Sequence, residues 1–220
     1  MTDILYTLSN INVIFYIIAF MFGGIPFGWL LVKLIYKQDI RQVGSGSIGA
    51  NVYRAVKELD ERKAKAFSIL TIILDAIKGL IVVAFAKMLG LGFSAQWLIA
   101  LLAILGHCYS PYLGFKGGKG VATAIGSVLL LIPVEGICGL IVWGIVGKVF
   151  KISSISSLVG VLSGIILTFI IPYVVSLPNS ISIIAQIDTH TPVVLIGLFI
   201  LYTHIPNIKR LFSGKESKVL

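Results

Sequence analysis

The sequence predicts an all-α polytopic membrane protein with seven transmembrane helices, its N-terminus outside and its C-terminus cytoplasmic. Three observations carry this expectation. Only 12% of the 220 residues are charged while 57% are hydrophobic, about half the charge fraction of a soluble domain. Apolar runs of near-spanning length recur from end to end. Basic residues gather between alternate runs, where the positive-inside rule puts cytoplasmic loops. The net charge of +9 then belongs to those loops. No Arg-rich helix with interleaved aromatics points to nucleic acid, so no such partner is expected. The two cysteines, Cys108 and Cys138, form no C-x-x-C and read as small packing residues rather than a disulfide. The first ten residues hold no Lys or Arg, which does not fit a secretory signal peptide. Residues 1–220 are expected to be one membrane-embedded domain.

The first span runs from about 11 to 36 and is interrupted at Gly23-Gly24 and Pro26. Lys33, Lys37 and Arg41 stand only toward its C-terminal flank, which puts that end in the cytoplasm. A polar stretch to about residue 65 follows. Its mixed-charge run from Lys57 to Lys65 reads as a solvated helix face. The second span, about 66–89, carries Asp75 and Lys78 on one helix face. Charges at membrane depth are costly unless paired, so these two are expected to satisfy each other. An outer loop without net charge, 89–96, leads to a short third span at about 97–109. The fourth (about 121–133) and fifth (about 135–149) are also short, as suits helices around a buried polar site. One Pro-kinked helix over 121–149 is rejected, because it would leave Lys148 and Lys151 outside. The sixth span covers about 157–177. An outer loop with Asp188 and His190 but no Lys or Arg leads to the seventh, from about 192. In this arrangement every basic residue except Lys78 and Lys87 is cytoplasmic.

The stretch Gly114-Phe115-Lys116-Gly117-Gly118-Lys119-Gly120 carries the strongest chemical signal. Glycines let backbone N–H groups approach a ligand closely, and the lysines add positive charge. An apolar segment resumes at Val121, so the loop ends at a helix N-terminus with its unpaired N–H groups and positive dipole end. Together these make a phosphate site. It is not a Walker A loop: Gly114 and Gly118-Lys119 are one residue too close, and Gly120 replaces Ser or Thr. A second cluster, Gly44-Ser45-Gly46-Ser47-Ile48-Gly49, spells G-x-G-x-x-G. That pattern marks a dinucleotide fold only after a strand, and here a long apolar helix precedes it.

Three polar clusters reach the same cytoplasmic face: Ser45 to Arg54, His107 to Lys119, and His204 to Glu216. Read singly, most members have plain roles. Lys209, Arg210 and Lys215 suit anchors for anionic headgroups, Glu216 a partner for Lys215 and Arg210, and His107 a cap or packing group. Jointly, the cations and N–H donors suit phosphate binding and oxyanion stabilisation, and a histidine suits proton handling at neutral pH.

These clusters resemble the three motifs of the acyl-phosphate-dependent glycerol-3-phosphate acyltransferases, the bacterial membrane family often called PlsY. The likeness runs along nearly the whole chain. The middle motif is the most specific: Gly106-His107, then Phe115-Lys116-Gly117-Gly118-Lys119-Gly120-Val121-Ala122-Thr123. The last motif reads His204-x-x-Asn207-Ile208-Lys209-Arg210-Leu211, then Gly214-x-Glu216. Leu74-Asp75-x-x-Lys78-Gly79 is similar as well. The first motif departs from the family's G-S-G-N-x-G-A-T-N-V-x-R. Ser47 stands for Asn, and a residue, the Thr, is missing before Asn51. Thr203 replaces an Arg that often precedes the last-motif histidine. A one-residue deletion turns Arg54 about 100° around a helix unless the loop rearranges.

The resemblance implies an enzyme that transfers a fatty acyl group from acyl phosphate to the 1-hydroxyl of sn-glycerol 3-phosphate. The products would be 1-acyl-sn-glycerol 3-phosphate (lysophosphatidic acid) and phosphate, at the first step of phospholipid biosynthesis. It implies no metal and no organic cofactor, membrane lipids as neighbours, and residence in the bacterial inner membrane with the active site facing the cytoplasm. Ser45, Arg54, His204 and Asn207 would be catalytic. Ser47, Lys116, Gly117, Gly118, Lys119, Gly120, Lys209 and Arg210 would bind substrate phosphate. His107, Asp75, Lys78 and Glu216 would support them. Against this stand a diverged relative with another acceptor and a non-catalytic lipid-binding, anion-binding or transport protein.

Overall fold

The computed structural model describes residues 10–40 and 48–218, with backbone alone at 48–50. Every regular element among the described residues is helical. Helix α1 (Ile11–Gly23) and α2 (Phe27–Tyr36) form one apolar pair bent by 43°. Pro26 sits at the bend, where its missing N–H and fixed ring interrupt a continuous helix. Asn10 caps α1 by accepting from the Asn12 N–H at 2.9 Å.

Helix α3 (Ile48–Leu59) occupies the polar stretch. Val52, Ala55 and Val56 lie on one face of it and are buried against Val32, Ala64 and Leu113. The opposite face carries exposed Lys57 and Glu58. The solvated run expected at 57–65 is therefore split by Asp60, which caps α4 (Glu61–Met88) by accepting from the Lys63 N–H at 3.2 Å. Helix α5 (Phe93–Cys108) starts within the expected outer loop and extends through a turn at Pro111–Leu113.

Helix α6 (Val121–Leu131) has 11 residues and is about 16 Å long, roughly half the hydrocarbon thickness. Its last carbonyls would be orphaned at membrane depth. Two side chains meet them. Lys87 Nζ donates to Leu130 O, and Gln186 Nε2 donates to Leu131 O at 2.7 Å. Gln186 Oε1 in turn accepts from Trp97 Nε1 at 2.9 Å. This accounts for a cation at Lys87 away from the other basic residues.

The chain turns at Ile132, and α7 (Pro133–Phe150) begins with proline at its first position, where the missing N–H costs nothing. Two helices, not one kinked one, thus cover 121–150. Helix α8 (Ser153–Thr168) is followed by a single turn, α9 (Ile171–Val174). The stretch 177–191, expected as a loop, holds α10 (Ile183–Ile187), which carries Gln186. Helices α11 (Thr191–Thr203) and α12 (Ile205–Phe212) meet at 56° beside Pro206.

Helices α4 and α7 and the stretches 93–113 and 153–174 are each long and apolar enough to cross a membrane; each of the two bent pairs is so when taken as one span, and α6 is a shorter apolar helix. Large apolar side chains such as Ile17, Ile141, Ile145, Leu162 and Leu198 are exposed along them. That is the surface a bilayer solvates and water does not. Inside, Ile99, Ile104, Leu131, Ile183 and Ile200 are fully buried and form the central core.

Candidate active site

The short α6 leaves space at its N-terminal end. A cavity of about 590 Å³ opens there. One end is polar, with Arg54, Lys119, His204, Asn207, Arg210 and Glu216 in its walls. The rest of the wall is mostly apolar, with Ile69, Ile73, Ile125, Leu129, Leu140 and Trp143, and also carries Lys65, Ser68, Asp75 and His107.

The glycine loop is shaped by His107. The imidazole is buried in the last turn of α5, and the Gly118 N–H donates to the His107 carbonyl at 3.1 Å. A Cβ at Gly118 would overlap the imidazole ring, so only glycine lets the loop pass this close. Gly120 has φ of 86° and caps α6, a left-handed conformation that favours glycine. Val121 and Ala122 of the first turn border the cavity, so the positive helix end stands beside Lys119.

Burial pushes Lys119 down to about 8; the Glu216 charge opposes this and the Arg210 charge adds to it. Its carbonyl accepts from Thr203 Oγ1 at 3.0 Å, which ties the loop to α11. His204 sits at the bend between α11 and α12 and is 2% exposed. Its Nδ1 lies 2.8 Å from the Ile200 carbonyl. A carbonyl only accepts, so Nδ1 carries the proton and Nε2 is left as an acceptor.

Glu216 organises this end. It accepts from Asn207 Nδ2 at 2.5 Å, Arg210 Nε at 2.6 Å and Ser154 Oγ at 2.8 Å. Burial raises its carboxyl, but these donors and the Arg210 charge outweigh burial and hold it below its usual range. Asn207 Oδ1 is buried without a partner among the described residues. Arg54 reaches the cavity from α3 and donates to Ser217 Oγ at 2.9 Å. The shortened first motif therefore still delivers Arg54 to the polar end.

Beneath the loop, Asp75 Oδ1 pairs with Lys78 Nζ at 2.9 Å and lies 3.7 Å from His107 Nδ1. Lys78 also donates to the Ile25 carbonyl at 2.9 Å. The expected mutual pairing of Asp75 and Lys78 is present, with His107 as a third member.

Other expected site residues lie elsewhere. Lys116 and Lys209 are exposed, and neither they nor Gly117 line the cavity. Ser45 and Ser47 fall outside the described residues. Ser154, Ser217 and Trp143 line it without having been expected. The run Ser153-Ser154-Ile155-Ser156-Ser157 at the head of the sixth span was the available signal for Ser154.

Long apolar helices around a cavity lined by both cations and apolar side chains define a helical membrane protein. Comparison with known proteins narrows the class. The profile of the family described as glycerol-3-phosphate acyltransferase matches residues 13–214. A glycerol-3-phosphate acyltransferase of Helicobacter hepaticus is 79% identical over 221 residues, covering 100% of this chain and 99% of that protein. One of Helicobacter pylori strain HPAG1 is 50% identical, with 100% of both chains covered. A crystal structure of PlsY, an integral membrane glycerol 3-phosphate acyltransferase in its glycerol 3-phosphate form, superimposes with a TM-score of 0.78. It has 31% identity over 95% of this chain and 96% of that one. Its lysophosphatidic acid form gives a TM-score of 0.74 and 30% identity, covering 95% of both chains. The chain belongs to the glycerol-3-phosphate acyltransferase family and is an acyltransferase of the membrane.

Proposed function

We propose that the protein transfers a fatty acyl group from acyl phosphate to the 1-hydroxyl of sn-glycerol 3-phosphate, giving 1-acyl-sn-glycerol 3-phosphate and inorganic phosphate. One observation carries this reading: Arg54, Lys119 and Arg210 line the same cavity as a large set of apolar side chains, Ile69, Ile72, Ile73, Ile125, Leu129, Leu140 and Trp143 among them. Both substrates bring a phosphate to the cations, and one brings a fatty chain to the apolar wall. The related PlsY structures in glycerol 3-phosphate and lysophosphatidic acid forms support the acceptor and the product.

In this reading the acceptor hydroxyl oxygen attacks the acyl carbonyl carbon. The ester C–O bond forms as the bond from the acyl carbon to the phosphate oxygen breaks. The departing phosphate takes the hydroxyl proton, so no strong protein base is needed. Lys119 and the N–H groups at the head of α6 hold the acyl phosphate and stabilise charge on the carbonyl oxygen. Arg54, Arg210 and Asn207 hold glycerol 3-phosphate. Glu216 keeps Arg210 and Asn207 in place, and His204 Nε2 orients the acceptor hydroxyl. Ser45 and Ser47 orient substrate oxygens, and the exposed Lys116 and Lys209 draw anionic substrates toward the mouth.

The charge pattern supports seven crossings, made by the α1–α2 pair, α4, α5, α6, α7, α8 and α11. The polar end then faces the cytoplasm from the bacterial inner membrane, with residues 1–220 as a single domain. A donor comparison tests the reaction. Protein reconstituted in lipid is given palmitoyl phosphate, palmitoyl coenzyme A or a palmitoylated carrier protein, each with glycerol 3-phosphate. Lysophosphatidic acid from palmitoyl phosphate alone is expected. Formation from a thioester donor, or passage of unchanged glycerol 3-phosphate into sealed vesicles without product, would overturn the reading.

A further inference from the structure

A second, smaller cavity of about 60 Å³ lies between α6, α7, α8 and α11. It has room for several water-sized groups, at roughly 10–15 Å³ needed for each. It shares Val121, Ile125, Leu140, Trp143 and Ser157 with the main cavity, so the two abut. From that shared end it follows α6 and α7 toward Ile132 and Glu135, a run of about 12–16 Å at the helical rise. Its walls are otherwise almost wholly apolar, and Gly139, Gly160 and Gly164 keep the α7–α8 side thin.

Glu135 is out of place in such a pocket. It is 0% exposed, and neither carboxyl oxygen has a hydrogen-bond partner among the described residues. A buried polar group left unpaired costs stability, and its place in the first turn of α7 offsets only part of that. Packing alone does not account for it. An unpaired costly group is retained where a site uses it.

We infer that this pocket receives the tail of the fatty acyl chain and that Glu135 sets its length limit. The inference rests on the acyl-donor reading above. A chain whose head is held at Lys119 can turn past Trp143 and continue along α6. Each methylene that replaces a void along the apolar walls gains contact and loses water-exposed area. At Glu135 that gain ends. A further methylene would have to displace the carboxyl itself, so no further void is filled. Glu135 is thus a specificity-determining residue and takes no part in bond making.

The test is a competition among acyl phosphates of graded chain length at fixed glycerol 3-phosphate, read as relative kcat/KM in lipid-reconstituted protein. Glu135→Ala removes the polar floor and lengthens the pocket. It is expected to raise the preference for the next longer chains about tenfold, the usual return for a methylene in an apolar pocket. Gly164→Leu tests the same pocket with Glu135 intact. A Cβ there meets only the Glu135 carbonyl, at an ordinary contact distance of 3.8 Å, so a side chain can start from this position. It is expected to shift preference toward shorter chains. Unchanged length profiles in both folded variants, with turnover retained, would overturn this inference alone. If wild-type protein used no acyl phosphate at all, the donor reading would fall and this inference with it.

Discussion

Lys78 and Lys119 are both withdrawn from water, yet their surroundings differ in kind. Lys78 is 1% exposed and donates to Asp75 and to the Ile25 carbonyl. Its donors are engaged by groups that belong to the fold. Lys119 stands at the wall of a cavity that Arg54 and Arg210 also line, and the carboxylate whose charge acts on it, Glu216, already accepts from three other donors. The lesson is one of partnership. A buried charge whose partners are complete holds elements together, whereas a buried charge whose partners are committed elsewhere is poised for an anion that arrives.

The contrast breaks most sharply at Lys119 itself. Lys119→Ala is expected to lower kcat/KM about 10²–10³-fold, the usual loss for one donor to a developing oxyanion, with little change in thermal stability. The next effect falls on the other lysine. Lys78→Ala leaves Asp75 uncompensated and is expected to destabilise the fold by about 3–5 kcal/mol, visible as a lower Tm in detergent. The double variant Lys78→Met, Asp75→Leu should regain much of that stability, because replacing both partners removes the orphan charge. If Lys78→Ala were fully stable and Lys119→Ala unfolded, the distinction would be reversed.

Smaller effects sharpen the account within the polar end. Glu216→Gln keeps the shape but weakens the hold on Arg210 and Asn207; KM for glycerol 3-phosphate is expected to rise about tenfold, with kcat less affected. His204→Ala should raise KM while leaving kcat within about tenfold, since the departing phosphate takes the proton. A collapse of kcat would make His204 the base instead. The gentlest change is in pH. Lys119 sits near 8 in the free protein, below its ordinary value, so it is charged below that pH and loses its proton above it. kcat/KM should therefore fall as pH rises through about 8, and Lys119→Arg, which stays charged, should extend the alkaline limit.

Much of this was legible in the sequence, for physical reasons. Apolar runs and alternating basic flanks predicted the spans, because the bilayer fixes element length and loop charge. Pro133 together with the charges at Lys148 and Lys151 separated α6 from α7. The Asp75 and Lys78 spacing foretold their pairing. What stayed hidden depended on contacts between segments far apart in the chain. Nothing local says that Gln186 from an outer loop closes the end of α6. The choice between Lys116 and Lys209 outside the cavity and Lys119 and Arg210 inside it follows from which way a turn and a helix face. Glu216 looked like a simple partner for nearby cations. Its contact with Ser154 on α8, 62 residues away, is what makes it an organiser.

The central claim is that the cationic end of the cavity binds both phosphates for one acyl transfer. It is tested most directly by phosphate release from lipid-reconstituted protein given palmitoyl phosphate, with and without glycerol 3-phosphate, beside Lys119→Ala. The account predicts release that depends on the acceptor, matches lysophosphatidic acid formed one for one, and is lost in the variant. Release that ignores the acceptor, or persists undiminished in folded Lys119→Ala, would contradict it.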